Sequence, residues 1–265
     1  MNAKLAFLGV GASMGVPVIG CTCQVCLSTD PKNKRLRPSA LLHIDKKTIL
    51  IDCGPDFRTQ AIRAGVSTLD GVIFTHAHQD HTGGIDDLRV FHMRSKQPLP
   101  CLISQECLGD IQRRFSYIFS EHDSGYDKLL PKFQFSILSN LRGEAEIAEI
   151  PLRYFTYEQA GMRINGFRFG NLAYVTDIKH YPDSIYEDLE GVEILIISAL
   201  RSTPSPIHFH IDEAVDFIQK VGARKSWLVH LAHEVEYSNT NEYLPENIRV
   251  AYDGLEIDFF IPDKK

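Results

Sequence analysis

Short apolar segments separated by polar turns recur along most of the chain, and this pattern predicts a protein rich in β-strands. Residues 5–8 form the first such segment and lead into a glycine-rich loop over 9–15. Residues 40–44 and 48–52 predict two strands joined by a tight turn, because a polar stretch over 45–47 separates them. Further apolar segments predict strands at 71–74, 167–169, 172–176, 194–198 and 226–230.

Helical patterns lie between these strands. Residues 56–64 and 212–221 predict helices, the second of them amphipathic, and residues 83–100 predict a helix followed by a return loop. Residues 101–140 mix helical and aromatic-rich segments. Strands that alternate with helices indicate a layered α/β architecture. Several strands end in His or Asp, so we expect polar side chains to gather at one edge of a sheet.

Length and charge limit the function. A chain of 265 residues with 44% hydrophobic residues can form a sizeable core, and we expect a single domain over residues 1–265. The formal net charge of -6 argues against bulk nucleic acid as a partner, although a local basic pocket for a small phosphate ester remains compatible with it. No signal-peptide pattern and no apolar run of ~20 residues is present, which predicts a cytoplasmic protein without a membrane partner.

Three of the six cysteines, Cys21, Cys23 and Cys26, are spaced too closely for a disulfide ladder. Such spacing suits a shared thiophilic metal ion over about residues 20–27, while unliganded thiols in a loop are the alternative. The remaining cysteines show no such pattern and are expected to be buried free thiols.

A run of potential metal ligands follows the strand predicted at 71–74. His76, His78, Asp80 and His81 lie within six residues, in a chain with 11 histidines. Residues two apart on an extended segment point the same way, so His76 and His78 can hold one ion. Asp80 and His81, which follow a turn, can reach a second ion.

This HxHxDH pattern resembles that of the metallo-β-lactamase superfamily. The resemblance extends to Asp52, which matches an early structural aspartate, to Asp177, which matches a carboxylate that bridges two ions, and to His230, which matches a late histidine ligand. It implies a metallo-β-lactamase four-layer αββα sandwich and a metal-dependent hydrolase. Two divalent ions in such a site activate water near neutral pH and offset charge on a phosphate.

Within that superfamily the chain is similar to PhnP-like phosphodiesterases. The similarity rests on the glycine-rich opening with the cysteine cluster, the pair His230 and His233, the motif His210-x-Asp212 before a helix, and the ending over 253–256. It implies a structural zinc held by Cys21, Cys23, Cys26 and His233, and a catalytic site holding one or two Mn or Zn ions. It further implies hydrolysis of a small cyclic or strained phosphodiester of a ribosyl or nucleotide compound.

The same resemblance suggests His210 as the proton donor to the leaving group, with Asp80 orienting the nucleophile while it binds metal. His208 lies two residues away and can exchange roles with His210, or it can be hydrogen-bonded to the adjacent loop.

One expected ligand is absent. The family pattern has a further histidine soon after a Pro-Leu pair, and here Tyr154 occupies the place that we assign to it; no histidine occurs between His122 and His180. Loss of one ligand weakens ion binding. Tyr154 or Glu158 can substitute, solvent can fill the gap, or one ion is held by Asp80, His81, Asp177 and His230. We favour a weakened or empty first site, because a phenol is a poor zinc ligand unless it is deprotonated.

Two other functions stay open from the sequence. A PqqB-like role in cofactor biosynthesis is one, since that family also carries a cysteine-rich loop near its start. A degenerate, non-catalytic module that binds metal or ligand is the other, although a proton donor beside the ions favours an enzyme. A homodimer is a further possibility, because the aromatic stretch over 115–119 suits either an interface or a packed core.

Overall fold

The computed structural model describes residues 1–120 and 129–262, and two β-sheets packed face to face form its centre. Among these residues the first sheet has the order β14-β1-β2-β3-β4-β5-β6, with β1 (Asn2–Gly9), β2 (Ser39–Ile44), β3 (Lys47–Ile51), β4 (Gly71–Ile73), β5 (Leu99–Ser104), β6 (Phe133–Leu138) and β14 (Glu256–Phe260). The second has the order β13-β12-β11-β10-β9-β8-β7, with β7 (Arg142–Ile147), β8 (Ile150–Gln159), β9 (Met162–Phe169), β10 (Leu172–Val175), β11 (Ile194–Ser198), β12 (Lys225–Val229) and β13 (Ile248–Val250).

Helices cover the outer face of each sheet. The helices of the described residues are α1 (Gln24–Leu27), α2 (Phe57–Arg63), α3 (Gln79–Thr82), α4 (Arg89–Ser95), α5 (Gln105–Arg114), α6 (Ser116–Phe119), α7 (Ile185–Asp188), α8 (Ile211–Val221) and α9 (Tyr237–Tyr243), with 3-10 turns at Pro31–Asn33 and Ile85–Leu88. Helices α2, α4 and α5 pack on the first sheet, and α7 and α8 pack on the second. The four-layer αββα sandwich is therefore confirmed. None of the described helices combines the length and the apolar character that a membrane span requires.

Side-chain alternation explains the layers. Along β1, Leu5 and Phe7 point into the cluster between the sheets, while Ala6 and Leu8 point into the cluster under the helices. Both faces of the strand are thus buried, which is why the segment is apolar without a break. Helix α8 buries positions spaced three and four residues apart, namely Ala214, Phe217 and Ile218.

The predicted strands and the helices at 56–64 and 212–221 are all present, with ends shifted by a few residues. The segment 83–100 differs from its prediction, because a 3-10 turn precedes α4 and the segment already enters β5 at Leu99. In the mixed stretch 101–140, Phe115 and Phe119 pack against the core. For these two side chains of the segment 115–119, the structure agrees with a packed core. Residues 121–128 of that stretch lie outside the described residues.

Parallel pairing positions the polar residues. Strand β3 runs parallel to β4, and β10, β11 and β12 run parallel to one another. Asp52 follows β3, His76 follows β4, Asp177 follows β10 and His230 follows β12. Carboxyl ends of parallel strands lie along one edge of a sheet, so the two sheets present these side chains at the same end of the sandwich.

Candidate metal centre

Two aspartates stand at the centre of the buried polar cluster at these strand ends. One carboxylate oxygen of Asp177 lies 3.5 Å from Nε2 of His76 and 3.5 Å from Nε2 of His81. Its other oxygen lies 3.2 Å from Nε2 of His230. The carboxylate of Asp80 lies 3.3 Å from Nε2 of His230 and 3.5 Å from Nε2 of His81. The sequence-predicted residues from both sheets therefore converge.

The backbone is left-handed at three polar residues that follow strands of the two sheets. Asp52, Asp177 and His230 have φ angles of 60°, 56° and 58°, in the left-handed region. That region is uncommon for residues other than glycine, and Asp and His are among those that tolerate it best. The turn ends the strand and directs each side chain inward.

Asp52 touches two of the ligand-bearing segments. Its carboxylate accepts hydrogen bonds from the backbone N–H and the hydroxyl of Thr75, at 2.8 and 2.7 Å, and lies 2.7 Å from Nδ1 of His81. The Thr75 hydroxyl oxygen in turn lies 2.9 Å from Nδ1 of His76. An Nδ1 proton on each ring leaves both Nε2 lone pairs directed at the cluster, as a metal site requires.

The charges of the cluster depend on one another. Burial opposes the ionisation of Asp80 and Asp177, but the neighbouring histidines, chiefly His81 and His230, outweigh it and hold both pKa values below the usual range. Burial likewise opposes protonation of His81, yet Asp80, Asp177 and Asp52 raise its pKa well above the ordinary value. The cluster thus concentrates negative charge that a divalent cation would neutralise.

His78 lies at the margin of this cluster. Its Nδ1 is 2.9 Å from Nε2 of His76, and the two rings meet edge to face. His78 also precedes α3, so a short helical turn separates it from His81. The structure brings His76 and His78 side by side, as expected from their spacing.

The two candidate proton donors, His208 and His210, occupy different places. His208 is buried, its ring stacks on that of His230 with 4.8 Å between centroids, and with Asp177 and His230 it forms a group of potential ligands whose atoms all lie within 4.8 Å of one another. His210 instead stands at the N-cap of α8, where its backbone N–H donates to Glu213 and its Nδ1 lies 2.8 Å from the same carboxylate. The structure thus brings His208, rather than His210, into contact with the buried cluster.

Tyr154 does not stand where the missing histidine was expected. Its side chain packs between the sheets, with the ring against Gly143 of the edge strand β7. Glu158 is exposed, and its backbone pairs with that of His180. Strand β8 continues five residues beyond Tyr154, to Gln159. Gln159 is buried, its amide nitrogen lies 2.9 Å from both ring nitrogens of His208, and its amide oxygen has no partner among the described residues.

The cysteine cluster forms a second, separate group. The sulfurs of Cys21, Cys23 and Cys26 lie 3.3, 3.4 and 3.7 Å from Nδ1 of His233. A backbone N–H of Cys26 and the His233 ring lower the pKa of Cys23 to about 6, which favours the thiolate. Three thiols and one imidazole within contact of one another are a donor set that suits tetrahedral zinc.

A pocket of about 310 Å³ lies between the two groups, and His208 and His233 are both among its lining residues. Its remaining walls come from the loop after β1, around Met14, and from the loop after β11. His208 therefore connects this pocket to the buried cluster.

The chain is similar to proteins whose family or structure is known. The profile of the Beta-lactamase superfamily domain matches residues 47–231, well over half of the chain. The chain belongs to the metallo-β-lactamase superfamily. The solved structure of a diphosphatase from the PhnP family aligns with 98% of this superfamily member, and 98% of that structure is covered, at 35% identity and a TM-score of 0.90. The expected resemblance to the superfamily and to PhnP-like proteins is confirmed.

Two further relatives are informative. Zinc-bound PqqB from Methylobacterium extorquens matches 97% of this metallo-β-lactamase chain and 100% of its own, with a TM-score of 0.73 but 18% identity, so it shows the shared fold alone. An octanoyltransferase of Porphyromonas gingivalis is 38% identical over 262 residues, which is 96% of this chain and 51% of that protein. The chain therefore spans about half the length of this relative.

The donor atoms fit divalent ions. Nε2 of His81 is buried and makes no hydrogen bond within the described residues, although it faces two carboxylates. Imidazole nitrogens and carboxylate oxygens are ligands for zinc and manganese. This superfamily member therefore contains a buried His/Asp metal-binding cluster and a Cys3His cluster beside it.

Proposed function

We propose that the chain is a metal-dependent phosphodiesterase that hydrolyses a small phosphate ester, with a cyclic or strained ribosyl or nucleotide phosphodiester as the first candidate substrate. The observation that carries the proposal is the convergence of Asp80, His81, Asp177 and His230 from separate strand ends of two sheets. The extensive similarity to a PhnP-family diphosphatase supports a phosphorus centre over other substrates of this fold.

We assign one ion to Asp80, His81, Asp177 and His230, and a second to His76 and His78 with Asp177 shared between them. Zinc or manganese in these positions would supply activated water and offset negative charge on the phosphate. Asp52 holds His81 in the required tautomer, and through Thr75 it reaches His76. We also assign Asp80 the orientation of the nucleophile, because its carboxylate lies 3.3 Å from Nε2 of His230 within the proposed ligand set.

His208 is the proposed proton donor to the leaving group. Burial and the neighbouring His230 lower the pKa of His208 to about 4 in the protein alone. A bound phosphodiester anion beside the ring would raise this pKa again, since an opposite charge nearby favours the protonated form. Gln159 contacts the ring and restricts its orientation.

Gln159 also supports a weaker first ion site. It ends β8, the strand that carries the Pro-Leu pair, and it adjoins the cluster through His208. A neutral amide oxygen is a poorer ligand than an imidazole for zinc. We therefore expect the ion held by His76 and His78 to dissociate more readily than the other.

The test is steady-state hydrolysis of bis(p-nitrophenyl) phosphate and of nucleoside 2′,3′-cyclic phosphates by the full chain loaded with zinc or manganese. His208→Ala is expected to lower kcat by about 10²–10⁴, the usual contribution of a general acid. His210→Ala is the matched control and should retain kcat within a few-fold, because His210 caps α8.

Absence of turnover with both metals and both substrate types contradicts the proposal. A His208→Ala variant with full activity contradicts the assignment of the proton donor alone. If the protein binds nucleotides tightly without turnover, the non-catalytic alternative replaces the enzyme.

A second candidate substrate comes from the Porphyromonas gingivalis relative. This chain matches only half of a protein named octanoyltransferase, so the matched half is joined there to a further segment of similar length. A metal-dependent hydrolase working beside an acyl-transfer activity would act on an octanoyl ester or thioester. Hydrolysis of an octanoyl thioester at a higher kcat/KM than any phosphodiester would favour this candidate.

A further inference from the structure

The segment that carries the first two proposed metal ligands has no regular structure of its own. Residues 74–78 lie between β4 and α3 and belong to neither a helix nor a strand. His76 and His78 stand in this segment, on either side of Ala77. Ligands on such a segment keep a fixed geometry only where other parts of the protein hold its backbone. The backbone contacts of Ala77 therefore help to position both histidines.

Arg114 contacts this backbone from a neighbouring helix. Its Nη2 donates to the carbonyl of the buried Ala77 and, at 3.1 Å, to the hydroxyl of Thr82 in α3. Its Nη1 donates to the side-chain oxygen of Gln79 at 3.4 Å. The Thr82 hydroxyl in turn donates to the carbonyl of His78 at 2.8 Å. One guanidinium group thus joins the backbone between the two histidines to α3, which carries two further ligands.

The guanidinium group is held in place by α5, whose last residue is Arg114. Helix α5 is capped by Ser104 at the end of β5 and buries Cys107, Leu108 and Ile111 in the cluster under the first sheet. A cation in the last turn of a helix is also favoured by the helix dipole. Arg114 therefore extends from an element that core packing holds in place.

The contact depends on the shape of the guanidinium group rather than on its charge. Arginine has five N–H donors in a planar fork, whereas lysine has three on a single nitrogen. Two nitrogen atoms of Arg114 contact three oxygen atoms, which belong to Ala77, Gln79 and Thr82. A positive charge beside the centre repels divalent ions, so any benefit to ion binding must come from the geometry that Arg114 imposes.

We infer that Arg114 is a positioning residue of the metal centre. By fixing the backbone between His76 and His78 against α3, it sets the geometry in which these two rings bind the first ion. The role rests on the proposed function in one respect, namely the assignment of an ion to this pair of histidines. Arg114 contacts carbonyl, amide and hydroxyl oxygens rather than ligand atoms, so its effect on hydrolysis follows from occupancy of the first ion site.

The test measures the divalent-ion affinity of the full chain by competition with a chromogenic chelator. Arg114→Met is expected to weaken binding of the more loosely held ion at the His/Asp cluster by about 10- to 100-fold, the usual cost of removing a residue that orients metal ligands. Arg114→Lys keeps the charge but not the fork and should recover only part of the loss. Arg113→Met is the matched control, because Arg113 precedes Arg114 in α5, is 77% exposed and pairs with Asp110 of the same helix; it should leave the affinity unchanged.

Amide hydrogen exchange in the metal-free chain separates this role from the proposed function. The amides of His81 and Thr82 donate to the His78 carbonyl at 3.1 Å and report opening of the segment. They should exchange about tenfold faster in Arg114→Met than in wild type, because hydrogen bonds from a charged donor are lost. Exchange in β12, on the other sheet, should stay the same and so show that the fold is intact.

Two results of the affinity measurement overturn the role of Arg114. Equal affinities of Arg114→Met and wild type do so directly, and tighter binding in the variant does so in favour of charge repulsion. If the wild-type chain holds no ion at His76 and His78, the proposed two-ion function fails instead. Faster exchange in Arg114→Met then still supports its role in holding the segment, and unchanged exchange overturns it.

Discussion

Asp52 is a buried carboxylate that positions the proposed metal ligands without being one of them. It lies 2.7 Å from Nδ1 of His81 and receives the hydroxyl hydrogen of Thr75, whose oxygen contacts His76. Burial raises the pKa of Asp52, and the nearby His81 acts against that rise. The carboxylate therefore depends on its hydrogen bonds to stay ionised, and the histidines depend on it for their tautomers.

Asp52→Asn should weaken metal binding by about 10- to 100-fold. An amide that donates to Nδ1 of His81 moves the ring proton to Nε2, and the lone pair that the ion needs is lost. Competition with a chromogenic chelator measures the affinity. Asp56→Asn is the control, since Asp56 follows in the same loop but pairs with Arg37. Equal affinities for the two variants would contradict the role of Asp52.

Gln159→His should strengthen the first ion site. An imidazole at the end of β8 restores a third histidine beside the cluster, so we expect about one additional equivalent of tightly held divalent ion per chain. Elemental analysis after extensive dialysis measures it. Glu158→His is the matched control, because Glu158 is exposed on the opposite side of the same strand. A gain of metal in the control but not in Gln159→His would show that the gap lies elsewhere.

At the level of elements, close backbone contacts hold the ligand-bearing segments against one another. Gly54, just after β3, faces the carbonyl oxygen of Asp80 so closely that a Cβ atom there would overlap it. Gly84, after α3, approaches the carbonyl oxygen of Gly54 in the same way. The backbone N–H of Cys53 donates to the carbonyl of His81 at 2.7 Å between these glycines. The loop that follows β3 is therefore in direct contact with helix α3 at the metal centre.

Gly54→Ala should lower the free energy of unfolding by roughly 1–3 kcal/mol and also reduce metal affinity, because the added methyl group displaces the backbone of Asp80. Chemical denaturation of the metal-free protein and chelator competition measure the two effects. Gly109→Ala in α5 is the control, since a Cβ there meets open space and alanine favours a helix. A stable Gly54→Ala variant with unchanged metal affinity would show that the backbone of Asp80 accommodates the added methyl group and would contradict this prediction.

At the scale of the whole molecule, the Cys3His cluster connects distant parts of the chain. It joins the loop after β1 to the segment that follows β12, and the same two segments line the pocket beside His208. A metal ion held by four protein ligands leaves no open position for catalysis, so its contribution is to the folded state.

Cys23→Ser should therefore lower the melting temperature by about 5 °C or more and remove one equivalent of metal, while the ions at the His/Asp cluster remain. Calorimetry and elemental analysis measure the two quantities. In cobalt-loaded wild-type protein we expect a sulfur-to-metal charge-transfer band that the variant weakens. Loss of all metal from the variant, or no change in stability, would contradict separate structural and catalytic sites.

Some of these features could be predicted because they are local in the sequence. The HxHxDH spacing, the cysteine spacing and the alternation of apolar segments each depend on residues a few positions apart, and these patterns led to the superfamily and to the layered fold. The capping pattern His210-x-x-Glu213 is equally local and is typical of the start of a helix, where the structure has His210.

Tertiary structure alone decided which distant residues meet. The length of β8 placed Gln159 rather than Tyr154 beside the cluster, and the loop after β11 brought His208 against His230 and Arg201 into the pocket. Such contacts join strand ends far apart in sequence, and they depend on strand length, register and left-handed turns that packing of the two sheets selects. The local patterns specified the kinds of ligand and the class of fold, whereas packing of the two sheets specified which ligands meet.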